Sequence, residues 1–268
     1  MHYNPRMTNS ISFVGTSDGL PSVNRGQASF LVQMAGKRLL LDAGEPCSKS
    51  LLQMGEDPND IDAVIISHTH SDHVGGLPML LMTMWLNNRR RKQLSVWLPR
   101  RAIKPLRVWL KACYLFEEKL SFRRDWHWRA LSLRREERIG RVRMRAFATT
   151  HLASTKAMFG KGNPGVGFDS YSLLLEAGGK RVVYSGDIGE PSEVAPLCVK
   201  PVDVLIVELA HFPVEPLIEA LKPLAVKHVV ITHMGGRVKA NLRSVRAKLR
   251  ALRPKRVTLA KDGDVIRF

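Results

Sequence analysis

The chain has 268 residues, enough for one large domain or two small ones, and its apolar fraction of 44% is ordinary for a globular protein. Its longest apolar stretches, such as residues 76–86, are too short to span a bilayer, and no charged leader with an apolar run opens the chain. Cys47, Cys113 and Cys198 are widely spaced, which argues against a disulfide framework or a cysteine-type zinc finger. Together these features predict a cytoplasmic protein with no membrane span.

The formal net charge of +18 is concentrated in the middle of the chain. Residues 89–145 carry 19 Lys and Arg against 5 Asp and Glu, a net charge of +14, whereas residues 1–88 have a net charge of −3. A basic field of this size favours polyanions such as nucleic acid or anionic lipid, and a solvated basic surface explains it equally well. The candidate nucleic-acid contacts are Arg89, Arg90, Arg91, Arg141, Arg143 and Arg145.

Short apolar segments bounded by Gly or polar residues predict the strands of the first half of the chain. These strands are expected at residues 11–15, 29–34, 38–42, 63–67 and 94–98. Helices are expected at residues 77–86 and 103–119, after the fourth and fifth of these strands.

The second half repeats the same theme. Residues 141–148 alternate basic and apolar side chains, which predicts a strand with one wet face and one buried face. Further strands are expected at residues 172–176, 182–185, 204–208, 229–232 and 256–260, and an amphipathic helix at residues 238–252. Two strand-rich halves, roughly residues 1–145 and 146–268, predict an α/β fold in which an αβ/βα sandwich forms one domain over residues 1–268.

The strongest chemical signal is a cluster of histidines directly after the predicted strand 63–67. His68 and His70 are two residues apart, so both can point the same way from extended backbone, while Asp72 and His73 are adjacent and diverge. Three imidazoles and a carboxylate are ligands typical of zinc, with manganese or iron as alternatives. One short loop can therefore supply ligands to two metal ions.

Four other residues follow predicted strands in the same way. Each is a ligand-type side chain, although a single residue of this kind is more often a helix cap or a paired core residue. They are Asp42, His151, Asp187 and His233. Their shared position at strand ends favours a common site, because sites of α/β proteins lie where strands end.

On these residues the sequence resembles the metallo-β-lactamase superfamily over nearly its whole length, which implies a four-layer αβ/βα sandwich. The His-x-His-x-Asp-His motif at residues 68–73 carries the resemblance. The opening is most similar to ribonuclease Z, in Phe-Val-Gly-Thr-Ser-Asp-Gly-Leu-Pro at 13–21 and Leu-Leu-Leu-Asp-Ala-Gly at 39–44. Gly-Gly-Leu-Pro at 75–78 and Ala-Lys-Asp-Gly at 260–263 are also similar.

The resemblance implies a role for each site residue. His68, His70 and His151 would bind one divalent ion, Asp72, His73 and His233 the other, and Asp187 would bridge them around a nucleophilic hydroxide. Asp42 would orient a ligand imidazole through a hydrogen bond. Asp72 would also accept a proton, and Glu208 and His211 would assist proton transfer to the leaving group. A homodimer through the helix at residues 77–86 is also implied.

Three functions remain open. The first is a dinuclear phosphodiesterase of ribonuclease Z type acting on RNA or another phosphodiester. The second is a hydrolase of a small ester, such as a cyclic phosphodiester, a sulfate ester or a lactone. It is favoured because only 35 residues separate His151 from Asp187, too few for the long arm with which ribonuclease Z grips tRNA. The third is a non-catalytic RNA-binding protein.

Overall fold

The computed structural model describes residues 9–87, 94–117, 126–133 and 135–268, and it contains two seven-stranded sheets. The strands of the first sheet are β1 (Ser10–Gly15), β2 (Ser29–Met34), β3 (Lys37–Leu41), β4 (Ala63–Ile65), β5 (Leu94–Leu98), β6 (Trp126–Ala130) and β14 (Val265–Arg267). Their spatial order is β14-β1-β2-β3-β4-β5-β6, and β3 to β6 run parallel.

The second sheet has the same design. Its strands are β7 (Glu137–Ile139), β8 (Val142–Ala148), β9 (Tyr171–Ala177), β10 (Lys180–Tyr184), β11 (Val202–Leu209), β12 (Val226–Met234) and β13 (Arg256–Leu259). The order is β13-β12-β11-β10-β9-β8-β7, and β10 to β13 run parallel. The chain therefore changes sheet between residues 130 and 137, earlier than the predicted division near residue 145, and β14 returns to the first sheet.

Eight α-helices connect these strands within the described residues. They are α1 (Cys47–Gln53), α2 (Ser71–Val74), α3 (Leu77–Asn87), α4 (Ile103–Ala112), α5 (Ala153–Phe159), α6 (Val214–Leu221), α7 (Gly236–Ala240) and α8 (Leu242–Leu249). In this part of the chain no helix is both long enough and apolar enough to cross a membrane.

Three apolar clusters separate four layers. Successive side chains of a strand point to opposite faces, so strands covered on both sides are apolar throughout. In β3, Leu39 and Leu41 pack between the sheets, while Leu40 packs outward against the first helical layer. In β10, Val182 packs between the sheets and Val183 faces the helices of the second half. The predicted four-layer sandwich is confirmed, while its treatment as one domain stays a prediction.

Two predicted helices are wrong in extent. The helix expected at 103–119 ends at Ala112, because Tyr114 adopts a left-handed φ of 58° that breaks the helix, and residues 118–119 of this prediction lie outside the described residues. The helix expected at 238–252 is divided at Asn241, whose φ of −122° lies outside the helical range, into α7, α8 and a 3₁₀ turn. The sequence interpretation also missed the strands β6, β7 and β14 and the helices α1, α2, α5 and α6.

A run of aromatic rings crosses the middle layer. Phe13 and Phe30 meet edge to face with ring centroids 5.6 Å apart, and Phe30 lies 5.2 Å from Tyr184 of the second sheet. Phe30 is fully buried. Its ring therefore joins the two sheets by direct packing.

We expect Phe30→Ala to destabilise the fold by about 3–5 kcal/mol, since the substitution leaves a cavity between the sheets. Urea unfolding followed by circular dichroism measures the loss. The matched control is Phe159→Ala on α5. Phe159 is 55% exposed, so this substitution should lower the free energy of unfolding by less than about 1 kcal/mol. Equal losses in the two variants would contradict this account of the middle layer.

Candidate metal centre

The structure brings all seven predicted metal ligands to one edge of the sandwich, where parallel strands of both sheets end. His68 follows β4, His151 follows β8 and Asp187 follows β10. The ligand atoms of His68, His70, His151 and Asp187 all lie within 4.8 Å of one another, and so do those of Asp72, His73 and His233.

Asp187 lies between the two histidine groups. Its Oδ1 is 3.3 Å from Nε2 of His73, and its Oδ2 is 3.4 Å from Nε2 of His233. The same Oδ2 is 3.6 Å from Nε2 of His151 and 3.8 Å from Nε2 of His68. A single carboxylate thus faces both sets of imidazoles.

Several polar atoms in this cluster have no hydrogen-bond partner among the described residues. Nε2 of His68 and Nδ1 of His233 are buried and make no hydrogen bond, and the buried Nε2 of His73 and Oδ1 of Asp187 face each other at 3.3 Å without hydrogen-bond geometry. A buried polar atom left unpaired costs about 1–3 kcal/mol, so several converging on one point need an explanation. Imidazole nitrogens and carboxylate oxygens are ligands of zinc and similar ions, and the residues therefore fit a divalent metal centre.

The pKa values of the histidines are also consistent with binding of a cation. Burial lowers the pKa of His68 well below its ordinary value and lowers the pKa of His151 to about 4, so both are neutral at pH 7 and can donate a lone pair. Burial would also lower the pKa of His73, but Asp187 and Asp42 outweigh it and hold this pKa well above its usual range. A proton therefore occupies His73 until a cation replaces it.

Asp42 is fully buried beside the histidine motif and accepts hydrogen bonds from three residues. Its Oδ1 accepts from the backbone N–H of Ser67 at 2.6 Å, and its Oδ2 accepts from the Ser67 hydroxyl at 2.8 Å. Oδ2 also accepts from Nδ1 of His73 at 2.7 Å and from the hydroxyl of Tyr184 at 2.6 Å. The predicted hydrogen bond between Asp42 and one of the candidate ligand imidazoles is therefore present.

The backbone at the site is strained. Asp42 and His233 have φ values of 57° and 46°, a region that side chains other than glycine rarely adopt. His233 is an extra residue in β12, since Thr232 pairs with Glu208 and Met234 pairs with Leu209. This bulge turns the His233 imidazole toward Asp187.

The turn before Asp187 needs a glycine. Gly186 has a φ of 56°, and a Cβ there would lie 2.6 Å from the carbonyl oxygen of Tyr171. The two sheets approach each other closely at this point, where the Tyr171 N–H of the second sheet donates a hydrogen bond to the carbonyl of Ser67, after β4 of the first sheet.

Glu208 and His211 lie beside Asp187. The buried Glu208 carboxylate accepts from the backbone N–H groups of Ile188 and Ala210 and from Nδ1 of His211 at 2.7 Å. Nε2 of His211 is 4.0 Å from Oδ2 of Asp187. Burial lowers the pKa of His211, but the Glu208 carboxylate outweighs it and raises this pKa above its ordinary value.

The predicted nucleic-acid arginines that the structure describes are not part of this cluster. Arg89, Arg90 and Arg91 lie outside the described residues. The other three lie on or beside β8. Arg141 precedes the strand, at the end opposite to the one that leads to His151. Arg143 and Arg145 each lie 3.6 Å from a carboxylate oxygen of Glu176, and Arg143 also lies 3.7 Å from Glu136.

The sequence interpretation missed three supporting residues. Tyr184 and Ser67 hydrogen-bond to Asp42, and Glu193 accepts the backbone N–H of Thr150 beside His151. Tyr184 did carry a signal in the sequence. It lies two residues after Val182, on the same face of a strand that the sequence pattern predicts to be buried, and a buried hydroxyl needs a hydrogen-bond partner.

Known proteins share this fold and parts of this sequence. The family model described as anti-Pycsar protein Apyc1 matches residues 9–210. Ribonuclease Z of Bradyrhizobium diazoefficiens is 40% identical over 77 residues, which are 29% of this chain and 26% of that protein. The chain thus matches about a quarter of the length of this relative.

Solved structures extend the likeness over the whole fold. The metallo-β-lactamase fold protein YhfI from Bacillus subtilis superposes with a TM-score of 0.76 at 19% identity, covering 97% of this chain and 100% of YhfI. The short form of human tRNase Z gives a TM-score of 0.67 at 20% identity, covering 96% of this chain and 98% of that one. These structures show that the chain has the metallo-β-lactamase fold. Since the family model spans residues 9–210, most of the chain, the chain belongs to the Apyc1 family of anti-Pycsar proteins.

Proposed function

We propose that the chain is a phosphodiesterase that uses two divalent metal ions, with Zn²⁺ as the first candidate and Mn²⁺ or Fe²⁺ as alternatives. The observation that carries this proposal is the position of Asp187 between two groups of imidazoles, in a cluster where several buried polar atoms make no hydrogen bond. His68, His70 and His151 would hold one ion, Asp72, His73 and His233 the other, and Asp187 both.

When bound, two divalent ions lower the pKa of water and neutralise phosphoryl oxygens. The protein supplies the orientation and the proton transfers. Asp42 fixes the rotation of the His73 ring, and Asp72, 3.5 Å from Nε2 of His73, is the proposed proton acceptor. His211 is the proposed proton donor to the leaving group, since its raised pKa favours the protonated form. Glu208 holds that ring and the backbone after Asp187 in place.

A small phosphodiester is the substrate that the geometry favours. The segment between His151 and Tyr171 contains only α5 and a short loop, so it provides no long arm to grip a distant part of a large substrate. Glu176 and Glu136 also neutralise part of the basic face formed by Arg143 and Arg145. The sulfate ester and lactone of the second hypothesis remain substrates to test at the same site.

RNA is the second candidate substrate. The net charge of +18 and the partial likeness to ribonuclease Z support it. A homodimer through α3 stays a prediction, supported by the exposed side chains of Met79 and Leu86 on this helix. A cytoplasmic location likewise stays a prediction.

Zn²⁺ affinity should fall as the pH is lowered from about 8 to about 6. Burial lowers the pKa of His73 and of His233, but the carboxylates around them outweigh it and keep both pKa values raised, so metal binding must displace protons. Each displaced proton weakens binding about tenfold per pH unit below the pKa of that imidazole. Competition with a chromophoric chelator measures the affinity. An affinity independent of pH would contradict proton displacement at these rings.

His70→Ala should lower the hydrolysis of bis(p-nitrophenyl) phosphate by at least about 100-fold and reduce the bound metal, because it removes a proposed ligand. Steady-state kinetics and elemental analysis measure the two effects. The matched control is His127→Ala on β6, which should retain both metal and activity. If His70→Ala spares RNA binding in a protein that hydrolyses nothing, the non-catalytic hypothesis replaces this one.

Small phosphodiesters, including a cyclic one, should be hydrolysed at least about 100-fold faster than structured RNA. The Arg143→Ala/Arg145→Ala double variant should change this hydrolysis by less than about twofold. A rise in salt from about 50 to about 200 mM should also matter little, because few phosphate contacts are made. Turnover of a panel of RNA, small phosphodiesters, a sulfate ester and a lactone decides between the hypotheses. Fast RNA cleavage that falls steeply with salt and is lost in the double variant would establish RNA as the substrate.

A further inference from the structure

Tyr184 is buried in the middle of the sandwich, and its hydroxyl has a specific partner. Its ring packs on Phe30 between the two sheets, where a phenylalanine would fill the same space. The hydroxyl instead donates to Oδ2 of Asp42 at 2.6 Å. Burial raises the pKa of Tyr184 well above its ordinary value, so the hydroxyl keeps its proton and acts as a donor.

This hydrogen bond crosses the seam between the sheets. The other side chains that bond to Asp42, Ser67 and His73, belong to the first half of the chain. Among the described residues, Tyr184 is the donor to Asp42 that comes from the second sheet. It also lies three residues before Asp187, at the end of β10. One tyrosine therefore links the segment that carries Asp187 to the carboxylate that holds His73.

We propose that Tyr184 is a positioning residue for the metal centre: its hydroxyl fixes the Asp42 carboxylate and thereby sets how His73 faces Asp187 across the seam. Oδ2 of Asp42 receives both the Tyr184 hydroxyl and Nδ1 of His73, so a shift of this oxygen turns the imidazole. Nε2 of His73, on the far side of the ring, is 3.3 Å from Asp187. The metal part of this inference rests on the proposed two-metal function, whereas the hydrogen-bond part does not.

The test compares Tyr184→Phe with Tyr171→Phe. Both substitutions remove one hydroxyl from the second sheet and keep the ring. No hydrogen bond of the Tyr171 hydroxyl occurs within the described residues, which makes this variant a matched control. Ser67→Ala, which removes another donor to Asp42, serves as a positive control.

The first measurement uses the metal-free protein with ¹⁵N-labelled histidine. The Nδ1–H proton of His73 should exchange with water at least about tenfold faster in Tyr184→Phe than in the wild type, and at the wild-type rate in Tyr171→Phe. This readout does not depend on activity or on metal. Unchanged exchange in Tyr184→Phe would overturn the proposal even if the variant is less stable, because packing alone would then explain the tyrosine.

The second measurement is the stepwise affinity for Zn²⁺ by chelator competition. In Tyr184→Phe one of the two affinities should fall by about tenfold and the other by less than about threefold, since loss of an outer hydrogen-bond partner weakens metal binding about 10–100-fold. Equal losses in Tyr184→Phe and Tyr171→Phe would overturn the positioning role. A wild-type protein that binds no Zn²⁺ would instead refute the proposed function, and the exchange measurement would still decide whether Tyr184 positions His73.

Discussion

The buried carboxylate of Asp42 is the interaction on which the site depends. A carboxylate removed from water is costly unless nearly all of its lone pairs are satisfied, and Asp42 achieves this with hydrogen bonds from Ser67, His73 and Tyr184. These donors come from the loop after β4, from helix α2 and from the opposite sheet. The same bonds that compensate the buried charge therefore fix one imidazole of the candidate metal centre and join the two halves of the sandwich. The strained φ of Asp42 persists because so many contacts define its position.

The other residues of the site also depend on contacts between the two sheets. The N–H of His233 donates to the carbonyl of Thr16, and the N–H of Tyr171 donates to the carbonyl of Ser67, so backbone from each sheet meets the other beside the histidines. Asp187 then completes the contact from the second sheet to the imidazoles of the first. A centre built in this way forms only when both sheets are packed together. Its geometry is therefore set by the apolar middle layer as much as by the polar residues themselves.

Local patterns account for what the sequence predicted well. Continuous apolar runs identified the strands covered on both faces, and the residues that follow them, from His68 to Asp187, proved to meet at one edge because parallel strands end on the same side. The ends of helices depended on contacts that no local pattern encodes, as at Tyr114 and Asn241. The partner of the Tyr184 hydroxyl lies 142 residues away along the chain, and the bulge at His233 is visible only once β11 and β12 are in register. Long-range pairing of this kind cannot be deduced from spacing alone.

The clustered imidazoles and carboxylates have a consequence for stability. Without a cation, buried polar atoms of His68, His73 and Asp187 face one another without hydrogen-bond geometry, and each polar atom left unpaired opposes folding. The three apolar clusters must offset this cost, which is consistent with strands such as β11 that are buried along their entire length. A cation that satisfies these atoms binds the folded chain in preference to the unfolded one, so metal binding and folding are thermodynamically linked. The layered core thus allows a group of unsatisfied ligands to remain assembled before any ion arrives.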